Sequence, residues 1–485
     1  MNRSRHGVWA LILVATFAHA APWLAPGNVG LRSDIQILAD RGILKSPITT
    51  WPISWPDVAR DALAVGADRV LDDVTSAALQ RVQRAARRAM QRGGQFSATV
   101  RGAEKPIELR TFEATPREEG ELELGASWMS DHWAMNLQAA GVVNPSDGQS
   151  FRPDGTYIGV NVGNFMISAG FIERWWGPGW EGSLILSNSA RPIPAVTIER
   201  NYSEASHLPV LRWFGPWRAS LAFGQLENDR ADFDRTRFFA ARVTFKPMKQ
   251  LEIGLSRSAL WCGEGRPCSF SDFWDLLIGN DNDQPLDQQP GDQLAGYDVR
   301  WASSKLPIAL YGQMTGEDEA GYLPSKFLGL FGAETWFGLG GGTLRAHFEY
   351  ADTACNFSRQ EPDFDCAYES NIYTVGYRFR GHSIGHAMDG DGRMYSLGAV
   401  WTNSKGDAWE LLVRRADLNR NATVADSRHT VAALATKLED IEVRYSTVTP
   451  WGAVKLGIGH DSADDPQPVG VDTGLRAFVE WRYDF

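Results

Sequence analysis

Few residues of this 485-residue chain are spaced for chemistry. The run GHSIG at 381–385 fits the G-x-S-x-G pattern, in which a serine nucleophile sits on a strand-to-helix elbow. Ser383 would then attack, with His382 or His386 as its base. The run follows a strand-like segment, however, and enters DGDGR rather than a helix. Asp389-Gly390-Asp391-Gly392 opens like a calcium loop but lacks the later glutamate, so a turn rich in Asp and Gly is the better reading. Glu317, Asp318 and Glu319 sit in a hydrophilic stretch and read as solvated. No Walker loop, dinucleotide fingerprint or zinc spacing occurs. The expectation is a protein that is not an enzyme, with no cofactor and no metal.

Two other features invite explanation. Cys262 with Cys268, and Cys355 with Cys366, are local pairs in long connections. In an exported chain they read as two loop-stapling disulfides; metal binding is the alternative, without histidine spacing to support it. In ERWWGPGW, Trp175, Trp176 and Trp180 flank a Gly-Pro-Gly turn, with Arg174 before them and Arg191 after. Indole faces and guanidinium donors suit the C–H faces and hydroxyls of sugars, acidic ones above all. These five are candidate carbohydrate contacts. The competing reading is that the segment folds inward and packs a plug.

The elements that would carry them are strands. In ELELGASW, Leu122, Leu124, Ala126 and Trp128 alternate with Glu121 and Glu123. In TLRAHFEY, Arg345, His347 and Glu349 oppose Leu344, Ala346, Phe348 and Tyr350. NIYTVGYRFR sets Arg378 and Arg380 against Tyr373, Val375, Tyr377 and Phe379, and IEVRYST sets Glu442 and Arg444 against Ile441, Val443 and Tyr445. A period of two with full charges on one face fits a barrel whose charged face lines the lumen. Those charges face the same choice as the tryptophan segment: they would either brace and seal the barrel or meet sugar. Trp128, Trp133, Trp336 and Trp481 suit aromatic girdles. Connections alternate between short (246–250, 302–307, 403–408, 449–452) and long (261–293, 315–325, 352–370, 417–430). That is the arrangement of periplasmic turns and external loops. Eighteen to twenty strand candidates fit between about 96 and the end.

The two ends agree. Residues 1–20 have Arg3 and Arg5, a short apolar run and Ala18-His19-Ala20, which reads as a secretory signal peptide. At the other end Val479, Trp481, Tyr483 and Phe485 share one face, the pattern by which barrel-insertion machinery recognises a closing strand. Residues 21–94 differ from both. Leu31, Ile35 and Leu38 stripe one helix, Ser54-Trp55-Pro56-Asp57 starts a second, and Leu79, Val82, Ala86 and Met90 stripe a third before Gly93-Gly94. The third carries Arg81, Arg84, Arg87, Arg88 and Arg92, a solvated face or a contact for anionic headgroups or acidic turns. The expected organisation is a leader (1–20), a periplasmic helical bundle (21–94) and an all-β transmembrane barrel (95–485). Net charge is −11, which leaves no case for a nucleic-acid partner. Mean hydropathy is −0.28, as a barrel with a polar lumen allows.

Three blocks together, LRSDIQILADRGILKSPITTWPISW (31–55), ERWWGPGWEGSLILSNSARPIP (173–194) and YRFRGHSIGHAMDGDGRMYSLG (377–398), resemble the capsule assembly Wzi family of outer-membrane proteins. The resemblance runs from about residue 29 to the end. It implies an eighteen-stranded barrel with a periplasmic helical bundle, and a lectin-like role that holds capsular polysaccharide or exopolysaccharide at the surface of a Gram-negative cell. The expected partners are surface polysaccharide, outer-membrane lipids and, during biogenesis, the insertion machinery. A channel for oligosaccharides or anions is the main alternative function; a barrel-embedded hydrolase is the second.

Overall fold

The computed structural model describes residues 21–66, 68–278, 285, 287–320, 323–424, 428–464, 471 and 473–485. The expected signal peptide lies outside the described residues.

From Gly93 onward the chain winds into a closed antiparallel barrel of eighteen strands. Phe151–Arg152 and Tyr157–Val162 both pair with Trp133–Val143 and form one interrupted strand. Closure comes from the last strand on the first, with Phe478 opposite Ala103 and Asp484 opposite Ser97. Phe485 adds one more bond, from its N–H to the Phe96 carbonyl at 2.8 Å. Pleated backbone sends successive side chains to opposite faces, so alternation in sequence becomes two chemically distinct walls. Leu122, Leu124, Phe348, Ile441, Val479 and Trp481 face outward and are exposed, whereas Glu123, Arg345, His347, Glu349, Glu442 and Arg444 face inward and are buried. No helix among the described residues is long and apolar enough to cross a membrane.

Three expectations at this level are corrected. Residues 371–380 are not a wall strand. They belong to the long connection 353–392, where Arg378–Phe379 pairs with His382–Ser383 and not with a wall strand. The alternation there arises because Tyr373 and Tyr377 are buried in folded loop. The described residues of segment 315–325 are not a long loop but the tops of two extended strands, Ile308–Ala320 and Leu323–Leu339. Trp336 is not a girdle residue. It is buried inside the lumen, with the Arg345 guanidinium 4.6 Å from its ring.

Helices α1 (Val29–Asp40), α2 (Trp55–Leu63) and α3 (Asp73–Ala89) precede the barrel. Each has a local start signal. Asn28 accepts from the Leu31 N–H, Pro56 occupies the first turn of α2, and Asp72 accepts from the Thr75 N–H. The apolar stripe of α3 (Ala78, Leu79, Val82, Ala86) is buried, while Met90 lies past the helix end and is exposed. Its arginines divide. Arg81 turns inward and grips Asp34 with two bonds of 2.6 and 2.8 Å, Arg84 donates to the Ser404 carbonyl in a short turn, and Arg92 pairs with Asp131 in another. These contacts seat the helices in the turn end of the barrel. The segment between α1 and α2 goes further in: Thr50 and Trp51 pair as a short ladder with Trp176 and Trp175 of a loop that descends from the other end.

Candidate functional site

The inner wall is a lattice of paired charges. Glu334 accepts from Arg300 at 2.6 Å and from Arg345 at 2.6 Å, and Arg300 also reaches Asp40 of α1. Arg345 continues to the Ser33 hydroxyl of α1 at 3.1 Å. Further round, Arg444 binds Glu410 at 3.0 Å and also contacts Glu442, which Arg476 holds from the other side. Each of these groups would be costly to bury alone, so the wall provides partners in fixed, hydrogen-bonded geometry. Arg345, His347, Glu349, Glu442 and Arg444 are buried on the inner wall, where they act as anchors for what fills the lumen.

What fills it from above is the segment 173–191. Its carboxylate Glu181 meets His347 Nε2 at 2.8 Å, and the His347 and Trp180 rings stack with centroids 5.0 Å apart. Glu349 accepts from the Trp180 N–H at 2.8 Å and from the Tyr311 hydroxyl at 2.9 Å. Trp180 Nε1 donates to Glu334 at 3.1 Å. From below, Arg32 of α1 donates to the Pro178 and Gly179 carbonyls at 2.7 and 2.8 Å, its guanidinium between the Phe112 and Trp180 rings at 4.2 and 4.3 Å. Trp175, Trp176 and Trp180 are 0, 0 and 1% exposed. No face of these indoles is open to a sugar, and their reading as carbohydrate contacts gives way to the competing one, an inward plug. Arg174 is likewise buried and donates to the Ile172 carbonyl at 3.0 Å. Arg191 clamps two loops together through Asp154 at 2.7 and 2.8 Å and Asp147 at 2.6 Å.

The second loop, 353–392, packs on the first. Arg378 and Arg380 are not wall charges, because the segment that carries them is loop. Arg378 binds Asp389 at 2.8 and 3.0 Å, and the Arg380 N–H donates to Glu227. Burial raises the Asp389 carboxyl, but the Arg378 charge outweighs it and holds the group down at about 2. Burial, with the Arg414 charge adding to it, drives His386 down to about 4, so the ring is neutral at ordinary pH. Its Nδ1 accepts from the Met388 N–H at 3.2 Å, and a Cβ on Gly182 of the first loop would lie 1.9 Å from its Nε2. Glycine at 182 is what lets the loops meet. Ser383 is fully buried in the short ladder rather than on an elbow. The Asp-Gly turn uses Asp389 for Arg378 and the Thr430 N–H, and no group of three or more metal-ligating side chains occurs among the described residues. Glu317 accepts from the Tyr368 N–H at 2.8 Å. Disulfides join Cys262 to Cys268 and Cys355 to Cys366.

The packing leaves space along one side. A cavity of about 660 Å³ runs between the N-terminal segment and one side of the wall, from Gly406 and Asp484 at the turn end to Asp154 and Glu173 at the loop end. Arg101 crosses it, paired with Glu123 at 2.8 Å and Glu480 at 2.7 Å. Two arginines of the 104–119 connection line it differently. Arg110 donates to the Thr115, Pro116 and Asn188 carbonyls, and among the described residues no carboxylate lies within 4 Å of it. Burial, with the Arg117 charge beside it, pushes Arg110 well down. Arg117 donates to the Asn188, Ser189 and Ala190 carbonyls and has Glu173 only at 3.7 Å. With Asn136, Gln138 and Tyr157 on the same lining, this side of the pocket presents amide, hydroxyl and guanidinium groups, chemistry that accepts hydroxyls and carboxylates. Sequence reading missed Arg32, Arg110 and Arg117. Their one signal, arginine in an otherwise ordinary helix or connecting segment, does not separate a buried guanidinium from a solvated one.

Comparison with known proteins agrees with this architecture. A Klebsiella pneumoniae protein described as an uncharacterized 55.8 kDa protein in the cps region is 33% identical over 407 residues, 83% of this chain and 78% of the relative. The solved structure of Wzi from Escherichia coli, described as an outer-membrane protein involved in group 1 capsule assembly and a carbohydrate-binding β-barrel, superposes with a TM-score of 0.83 at 28% identity. It covers 95% of this chain and 99% of that one. The sequence profile of the family described as capsule assembly protein Wzi matches residues 89–464, and the outer-membrane barrel with its two-sided plug therefore belongs to that family.

Proposed function

We propose that this barrel binds capsular polysaccharide or exopolysaccharide and retains it at the cell surface, without catalysis. The observation that carries the proposal is the filled lumen. Helices from the turn end and loops from the loop end interlock through Arg32, Trp51, Trp175 and Trp180, all buried. A barrel so packed spends its interior on rigidity, which supports a role played by its surface. The proposed orientation puts the helical bundle in the periplasm and the disulfide-stapled loops outside. The loop-end mouth of the cavity, with Arg117 and Glu173, is the proposed contact for an acidic glycan. The test is binding of the purified protein to polysaccharide from its own host. Saturable binding that weakens in Arg117→Ala supports the proposal, and absence of any binding overturns it.

A channel is the second reading, and the cavity that spans both ends is the observation in its favour. A solute using it must displace the Arg101 cluster with Glu123 and Glu480. Planar-bilayer recording decides: silence is expected from the closed barrel, and steady ohmic openings would favour a porin.

A further inference from the structure

The long connection 262–290 contains a helix, α4 (Phe270–Ile278), that does not join the other loops over the lumen. It lies on the outside of the barrel. The parity of the strands beneath it proves the side. Phe239 is in step with exposed Val243, Ala259 with exposed Leu255, and Gln293 with exposed Tyr297; all six point outward. Yet Phe239 and Ala259 are buried, because Phe273 and Leu276 of α4 cover them. The Phe273 ring sits 5.3 Å from Phe239 and 4.7 Å from Trp261.

Beneath the same helix an outward-facing arginine is made tolerable. Arg257 stands on the outer wall, where a bare guanidinium would be unfavourable against lipid. It donates to the Leu277 carbonyl at 2.7 Å, the Leu276 carbonyl at 3.0 Å and Gln293 at 2.9 Å. Those carbonyls are the unpaired ones at the helix C-terminus, so each side satisfies the other.

Once the wall-facing side is accounted for, α4 has two faces left. Ser271, Asp272 and Asp275 occupy one. Phe270, Trp274 and Ile278, spaced i, i+4 and i+8, occupy the other and are 78, 53 and 45% exposed. The outward residues Phe223, Leu255 and Tyr297 of the barrel's apolar belt are exposed on the same wall, and the Phe223 ring lies 6.1 Å from Phe273 of α4. Height agrees with this placement. Gln293 is eight positions up its strand from exposed Trp301. At about 3.4 Å per residue and a tilt of about 40°, the rise is roughly 20 Å, near the upper edge of a belt about 25 Å tall.

We infer that α4 is an interfacial helix strapped to the barrel wall, with Phe270, Trp274 and Ile278 inserted among the acyl chains at the edge of the bilayer. The occupant of the stripe is lipid. With the loop end outward, as proposed above, the leaflet is the outer one, and Ser271, Asp272 and Asp275 meet headgroups and water. The helix thus fixes the height of the barrel in the membrane and gives the Cys262–Cys268 loop a floor.

All four native cysteines are paired, so single cysteines introduced on α4 can be spin-labelled selectively. Trp274→Cys, Ile278→Cys and Ser271→Cys are refolded full-length into phosphatidylethanolamine–phosphatidylglycerol vesicles containing lipopolysaccharide. Collision with oxygen, which partitions into lipid, and with a nickel chelate, which stays in water, is then read for each label. The inference expects oxygen collision to dominate at 274 and 278 and nickel collision at 271, with a several-fold difference in their ratio. Nickel access at 274 and 278 equal to that at 271 would mean a water-facing stripe and overturns it. Low collision with both reagents would mean a protein contact and overturns it equally. The label at 278 lies away from the disulfide and keeps the test valid where a cysteine at 274 mispairs. None of these readings depends on glycan binding.

Discussion

Replacement of Trp180 by alanine tests whether the tryptophan-rich segment is a lock between bundle and wall. The side chain is 1% exposed, donates to Glu334 at 3.1 Å, stacks on His347 and supports the Arg32 guanidinium at 4.3 Å. A buried Trp→Ala change costs about 3–5 kcal/mol. The lost desolvated cation–π contact with Arg32 is worth about 2 kcal/mol, and overlaps with the first figure because the two terms share atoms. A net loss of about 4 kcal/mol raises the open population of the lock by a factor of about 10³. It should appear as local opening, because the eighteen-strand ladder does not depend on this side chain. Hydrogen exchange in detergent micelles reads it: amides of 173–191 and of α1 should exchange about a thousandfold faster, and amides of the wall strands at their former rate. Trp180→Phe keeps an aromatic face but loses the Nε1–H bond, and should cost only about 1–2 kcal/mol. Unchanged exchange in 173–191 would refute the lock. So would an equal rise throughout the wall, which would make Trp180 a determinant of the whole barrel.

Three further outcomes follow from the same contacts. The Arg378–Asp389 pair steadies loop 353–392 above the ordinary Asp range near 3.8, and its contribution fades as pH falls through about 2; Asp391, which burial pushes up to about 7, acts oppositely and weakens the loop as pH rises through 7. Protection of 353–392, corrected for the intrinsic exchange rate, should therefore be greatest near pH 4, and Asp391→Asn should abolish the loss between about 4 and 7. Gly182→Ala would set a Cβ 1.9 Å from His386 Nε2 and should destabilise the contact between the two loops by about 1–3 kcal/mol, read as faster exchange in both while the barrel stays intact. Removal of Phe485, whose N–H reaches the Phe96 carbonyl at 2.8 Å and whose ring packs on Tyr483 at 5.0 Å, should lower the yield of heat-modifiable, membrane-inserted barrel in cells far more than it lowers the stability of barrel already folded.

The barrel was legible before any coordinate because its signal is local. A pleated strand forces alternate side chains to opposite faces, so Glu121 to Trp128 or Thr343 to Tyr350 announces an inner and an outer wall from eight residues alone. Helix starts at Asn28 and Asp72 and the stripe of α3 are local in the same way. Local pattern fails where burial comes from distant chain. Tyr373 to Arg380 alternates as well as any strand, yet lies in a loop that tertiary contacts fold inward. Trp336 looks like a girdle residue, but its partner is Arg345 on the inner wall. The tryptophans at 175, 176 and 180 have the composition of a sugar platform; only the arrival of Arg32 and Trp51 from α1 and its following segment shows them to be a buried lock. Arg345 reaches Ser33, 312 positions away, and nothing near either residue encodes that bond. The sequence determined the strands, their two faces and the capped helices, because backbone geometry and hydrophobic period act over a few residues. Tertiary structure decided what the lumen contains, because a buried charge or indole is stable only beside partners that the closed barrel brings to it.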